Sequence, residues 1–301
     1  MILNNSLSLM DENYFNFQLE MADLQTYHNV YSSALEITNE SENVFVKIKN
    51  AIVNFFKKII NFIRNIFKKE TKETANKNKE NKDAANTVNN KKAELKFPIN
   101  VSGGDNAIYD IDPKDFELTE VDNAISDLQT FKDMVNNVES RTKEQIMHFV
   151  KGFADGIDVT GPNFSIELNT LRKVFEDNMG ELEQLLKDKA NAHPIKLSPG
   201  GKISSQQELD EVINLSKDNK FEKLISDYER TINIVEKLSS DIEKKVQKLN
   251  IADKEIIKIF NNTFSLTSVV VNNFIKITNI QKNIVKRNVD TINNVFKQIN
   301  K

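Results

Sequence analysis

Side chains that make or break bonds are scarce in this sequence. There is no Cys among the 301 residues and there are only three His, so thiolate zinc sites, cysteine nucleophiles and disulfides are excluded. His28 lies in an aromatic stretch, His148 stands between Met147 and Phe149, and His193 directly precedes Pro194. No two are spaced as a metal pair and no H-E-x-x-H occurs, so each reads as a surface or partly buried imidazole. Neither a G-x-x-x-x-G-K-[ST] nor a G-x-G-x-x-G loop is present, and Gly103-Gly104 and Gly200-Gly201 read as turns. Asp110, Asp112 and Asp115 offer clustered oxygens for calcium, but without the Gly and the closing Glu of an EF-hand loop they read as a solvated turn. The expectation is a protein that is not an enzyme, with no catalytic, cofactor-binding or metal residues and no cofactor.

The remaining chemistry is that of charged and apolar surfaces. With 41 basic against 44 acidic side chains the net charge is −3, which lacks the cationic excess of a nucleic-acid binder and implies no specific nucleic-acid partner. The 40 Asn reflect an AT-rich coding sequence. Ile259 to Ile275 is the longest uncharged run, but Asn, Ser and Thr interrupt it too often for a membrane span. Met1 to Val46 has no Lys or Arg and so no charged leader region, and the expected location is inside a cell or a particle.

Charge then divides the chain. Residues 1–46 hold seven acids, Asp11, Glu12, Glu20, Asp23, Glu36, Glu40 and Glu42, and no base. Phe15, Leu19, Leu24, Tyr27, Tyr31 and Leu35 recur at helical spacing there, predicting an acidic helix over about 12–37. Residues 47–69 invert the sign with Lys47, Lys49, Lys57, Lys58, Arg64, Lys68 and Lys69 and no acid. Phe45, Ile48, Ile52, Phe55, Ile59, Phe62 and Ile66 step by three and four, giving a basic amphipathic helix over 44–69. Such a helix is suited to three ends: an anionic membrane surface, an acidic groove on a partner, or the acidic helix just before it. Residues 70–95 offer little to a core beyond Val88, Leu95 and a few Ala, predicting a flexible charged linker between an N-terminal arm, 1–69, and a helical bundle domain, 96–301.

Within 96–301 a capping pattern at Thr119-x-x-Asp122 opens a helix expected to run to Gly156, and a second follows from about 162 to 190. The echo of PINVSGG at 98–104 in PIKLSPGG at 194–201 suggests a short two-stranded β-ribbon made by those two segments, although chance in a biased composition explains it equally well. Ser205-Gln-Gln-Glu208 is a capping box, and after a weak spot at Asp218-Asn219 a long seam runs from Phe221 to Leu249. The last helix runs from Ile256 to Ile299, and between Ile256 and Val289 it holds five bases and no acid. Those bases read as a face complementary to the Glu-rich helices 167–190 and 208–243. The predicted class is mainly all-α: an elongated helical bundle with a long C-terminal antiparallel helical hairpin and an N-terminal helical arm, able to form homo-oligomers through its apolar seams.

The order of parts, an acidic aromatic helix, then VFVKIKNAIVNFFKKIINFIRNIFKK, then a charged low-complexity stretch and a helical domain, resembles the internal head and other structural virion proteins of large tailed phages of low-GC Gram-positive bacteria. The resemblance covers residues 1–95 in architecture and the rest in being helical. It implies a virion location after assembly in the host cytoplasm, partners among capsid, portal or tail proteins, and an N-terminal docking or packaging arm. Leu118-Thr119-Glu120 matches the L-x-E cleavage pattern that the resemblance brings with it. The alternative expectation is a membrane-active helical protein, a peripheral anchor or a pore former, binding anionic lipid through 44–69.

Overall fold

A computed structural model describes residues 41–100, 107–109, 112–116, 119–150, 157–191, 194–196 and 202–300. The acidic helix expected over 12–37 lies outside these residues. Among them are eight α-helices: α1 (Ser41–Phe62), α2 (Lys68–Lys91), α3 (Thr119–Asn137), α4 (Lys143–Val150), α5 (Phe164–Asn191), α6 (Gln206–Lys217), α7 (Lys220–Val246) and α8 (Lys254–Ile299). A five-residue π-helical turn, Ile63–Phe67, joins α1 to α2. The protein is mainly all-α, with a 46-residue C-terminal helix.

Two compact units emerge, the first from residues 1–66, 119–179 and 231–277, the second from 67–118, 180–230 and 278–301. Neither is a single stretch of chain, so the fold does not divide into arm, linker and bundle. The expected flexible linker is where the difference is largest: residues 68–91 are helix α2, and Thr71, Thr74, Asn78, Asn81, Ala85 and Val88 are buried along it. Together with Phe67 these positions step by four and three throughout, which is a helical seam written in Thr, Asn and Ala instead of Ile and Phe. Asn81 donates to the Val289 carbonyl at 2.9 Å and accepts from Asn293 at 2.9 Å, so its amide brings hydrogen bonds into the core instead of apolar area.

The long helices expected on either side of this seam are interrupted where side chains recruit the backbone. The helix opening at Thr119 stops at Asn137 because Thr142 and Gln145 form a fresh capping box: the Thr142 N–H donates to Gln145 Oε1 at 3.1 Å and the Gln145 N–H to Thr142 Oγ1 at 3.4 Å. Asp218 likewise ends α6 and starts α7, its Oδ1 accepting the Lys220 N–H at 3.1 Å. At Ser205 the expected cap forms, with Oγ accepting the Glu208 N–H at 3.2 Å while Glu208 reaches back to the Ser204 N–H at 2.7 Å. Ser205→Ala is expected to cost about 1 kcal/mol in denaturant-induced unfolding, the usual worth of an N-cap.

Four short strands form two separate antiparallel ribbons in the second unit. Ile99–Asn100 (β1) pairs with Lys202–Ile203 (β4), and Ala107–Tyr109 (β2) pairs with Pro194–Lys196 (β3). The two echoed segments therefore do not pair with each other as expected; each takes a partner from outside the echo. Register follows burial: Ile203 opposite Ile99 and Ile108 opposite Ile195 place two fully buried side chains on the covered faces.

Candidate functional site

The amphipathic helix is the strongest candidate, and in the first unit its apolar stripe is already occupied. Phe45, Ile48, Ile52, Phe55, Ile59 and Phe62 are at most 3% exposed, and Val53, Phe56 and Ile60 widen the buried band. The rings interlock across three helices. Phe55 meets Phe264 edge to face at 5.2 Å, Phe56 stacks on Phe131 at 6.1 Å, Phe131 stacks on Phe260 at 5.9 Å, and Phe45 lies 6.3 Å from Phe260. α1, α3 and α8 thus share one aromatic cluster, in the offset and edge geometries that the ring quadrupole favours.

The stripe departs from its sequence pattern at the π-turn. A π-turn inserts one residue into the helical count, and Ile66 is only half-buried while Phe67 is fully buried. Phe67 contacts Tyr228 edge to face at 6.0 Å and lies 5.1 Å beneath the Lys282 ammonium, so the inward seam continues through Phe67 into α2.

The cationic side of the helix is partly paired. Arg64 Nε donates to Glu236 Oε1 at 2.6 Å and Lys57 approaches Glu243 at 3.9 Å, both carboxylates on α7. Lys49 donates to the Leu249 carbonyl at 3.3 Å. Lys57, Arg64 and Lys69 are exposed, while Lys58 and Lys68 are half-buried. Exposed pairs of this kind contribute at most about 1 kcal/mol each. The site residues Phe45, Ile48, Ile52, Phe55, Ile59 and Phe62 are thus brought together as core, and the bases as its outer rim.

The bases of α8 do not all face the helices expected. Lys282, 1% exposed, pairs with Glu70 of α2, and Lys286 lies 3.9 Å from the same carboxylate. Lys276 does feel Glu176 of α5, but burial is the larger influence and lowers its affinity for a proton. Tyr228 of α7 is buried with no hydrogen-bond partner for its hydroxyl, and burial holds that phenol protonated far above its ordinary range. Tyr228→Phe is therefore expected to leave stability unchanged or raise it by up to about 1 kcal/mol, read from the denaturation midpoint, because an orphaned polar atom is removed.

Elsewhere the polar groups singled out in sequence serve local structure. His148 is exposed on α4, and Asp112 accepts the Lys114 N–H at 3.0 Å in a turn. His28, His193 and Asp110 lie outside the described residues, as does the side chain of Asp115. Among the described residues no three His, Cys, Asp or Glu gather to hold a metal, and no helix is long and apolar enough to cross a membrane. The buried Asn and Thr of α2 and the Glu70–Lys282 pair are what sequence reasoning missed; the four-and-three spacing of the former was an available signal, whereas the pair had none. Comparison with family models, with curated proteins and with solved structures finds no match to this chain.

Proposed function

We propose that the chain is a non-enzymatic structural component of a phage particle, an internal virion protein held to capsid, portal or tail proteins by its N-terminal segment. The observation that carries this reading is the use of the amphipathic stripe as core. Six large apolar side chains of α1 are covered by the protein's own helices, which leaves the segment preceding α1, with its six acids, as the docking element. A packed helical body then serves as filler or spacer, and the bundle's apolar seams serve its assembly. Mass spectrometry of purified particles from the source culture tests it: many copies are expected, and a new N-terminus would mark the segment as processed. Absence from particles overturns the reading.

The alternative, binding of anionic lipid through 44–69, draws on the basic face of the same helix. Exposing six such side chains costs roughly 9 to 18 kcal/mol at ~1.5–3 kcal/mol each, as much as the whole stability of an ordinary domain, about 5–15 kcal/mol. Insertion would amount to unfolding the first unit. The folded full-length chain is accordingly expected to stay in the supernatant when sedimented with phosphatidylglycerol vesicles at neutral pH, and co-sedimentation with its thermal transition intact would favour the lipid reading.

A further inference from the structure

Within the second unit, α2 is held by contacts that are almost all polar. Of the positions it buries, Thr71, Thr74, Asn78, Asn81, Ala85 and Val88, only the last two are apolar and both are small; α1, of nearly equal length, buries Phe and Ile throughout. Asn81 is bonded to the Val289 carbonyl and to Asn293 of α8. Opening exchanges such hydrogen bonds for bonds to water, so they resist it far less than buried apolar area does. Three bases then pin the helix to three neighbours: Lys77 lies 2.6 Å from Asp290 of α8, Lys82 2.6 Å from Glu222 of α7, and Lys92, just past the helix end, 2.7 Å from Asp210 of α6. All six of these side chains keep a quarter or more of their surface exposed, where dissolved ions screen the attraction. The flanks are firmer. Before α2, Phe67 is fully buried and Glu70 pairs with the sealed Lys282; after it, Ile99 of β1 pairs with the fully buried Ile203 of β4.

We propose that α2 is a strap that opens reversibly between these two anchors while α6, α7 and α8 stay folded, and that ionic strength sets how often it opens. Proteins open locally along contiguous elements with few buried apolar contacts, and α2 beyond Thr74 is such an element. Its own helical propensity does not keep it closed, since a lone helix of this length and polarity is marginal in water. With the three pins screened, Val88, Ala85 and the bonds of Asn81 are left to hold it. α8 of the same unit is built the other way, burying Ile284, Val285, Val289, Ile292, Val295 and Phe296, and it keeps its structure when the strap lifts. Opening therefore bares the flank of α8 from Lys282 to Asn293 without unfolding it. The strap rests on nothing in the proposed function, and acts in the free chain.

Amide hydrogen exchange of the full-length protein, read by mass spectrometry of its peptides, tests this. In dilute buffer, peptides covering 75–91 are expected to exchange about a hundredfold faster than peptides covering 284–296 of α8. Raising the salt to about 1 M should speed 75–91 a further ~10-fold, since three exposed pairs weaken together, and leave 284–296 unchanged. The triple variant Lys77→Gln/Lys82→Gln/Lys92→Gln should exchange at low salt as the wild type does at high salt, and respond to salt no further. Asn78→Leu, which puts an apolar side chain at a buried position of the seam, should slow the opening about tenfold. Exchange of 75–91 at the same rate as 284–296 overturns the proposal, because α2 would then open only with the whole unit. So does fast exchange of 75–91 that ignores salt, or a salt response that survives in the triple variant. Should that variant fail to fold, the salt series on the wild type and Asn78→Leu decide in its place.

Discussion

Phe131→Ala is expected to lower the unfolding free energy by about 4 kcal/mol, the cost of deleting a buried ring and leaving a cavity. Phe131 is fully buried and is the ring on which the cluster turns, in contact with Phe56, Phe260 and Phe264 from two other helices. It is the single aromatic that α3 contributes to the cluster, so no neighbouring ring on that helix can swing in to refill the space. Phe131→Leu keeps most of the volume and should cost less than half as much. Chemical denaturation of the two variants side by side checks this; a loss below 1 kcal/mol for the alanine would mean that the cluster is not a packed core.

Lys282→Ala should cost about 3 kcal/mol or more, for a different reason. Its ammonium is sealed at 1% exposure between Glu70 and the face of Phe67. Removing it leaves a largely covered carboxylate without its nearest cation, Lys286 standing farther off at 3.9 Å, and breaking one side of a buried pair is far worse than removing both. The double variant Glu70→Gln/Lys282→Met should therefore recover most of the loss. Thermal unfolding of the two singles and the double forms a cycle. Singles and double that simply add would show the pair to be uncoupled.

Both predictions concern positions that were unequally legible in the sequence. The ring cluster was visible in part: the spacing of Phe45, Ile48, Ile52, Phe55, Ile59 and Phe62 identified one face of one helix, because apolar residues report burial by type. The Lys282–Glu70 pair was not visible. Lys282 looked like part of a solvated basic strip and Glu70 like the start of a flexible linker, and only tertiary placement opposes them. α2 as a whole was misread for the same reason, since Thr71, Thr74, Asn78 and Asn81 are residue types that ordinarily face water. The hydroxyls and the Asn81 amide are satisfied in the fold: Thr71 bonds back to the Phe67 carbonyl at 2.8 Å, Thr74 to that of Glu70 at 2.9 Å, and Asn81 to Val289 and Asn293 of α8. Helix breaks fared likewise. Asp218-Asn219 was legible as a weak spot, whereas Thr142 and Gln145 escaped notice because the apolar period runs on past them. Strand pairing went wrong because likeness between two segments says nothing about whether they are neighbours.

The way α8 satisfies its buried polar side chains differs along its length. Thr263 and Thr267 each donate at 2.8 Å to a carbonyl one turn back, and Ser265 and Ser268 do so at 3.2 and 2.7 Å, all within their own helix. Asn293 instead spends its amide on Asn81 of α2, which also holds the Val289 carbonyl. A hydroxyl bonded to its own backbone demands nothing of a neighbour, so Ser, Thr and Ala are close to interchangeable there over evolutionary time. An amide shared between helices demands a specific counterpart. Among descendants of this gene, positions 263, 265, 267 and 268 should drift independently among small residues, while 81 and 293 should change together or not at all.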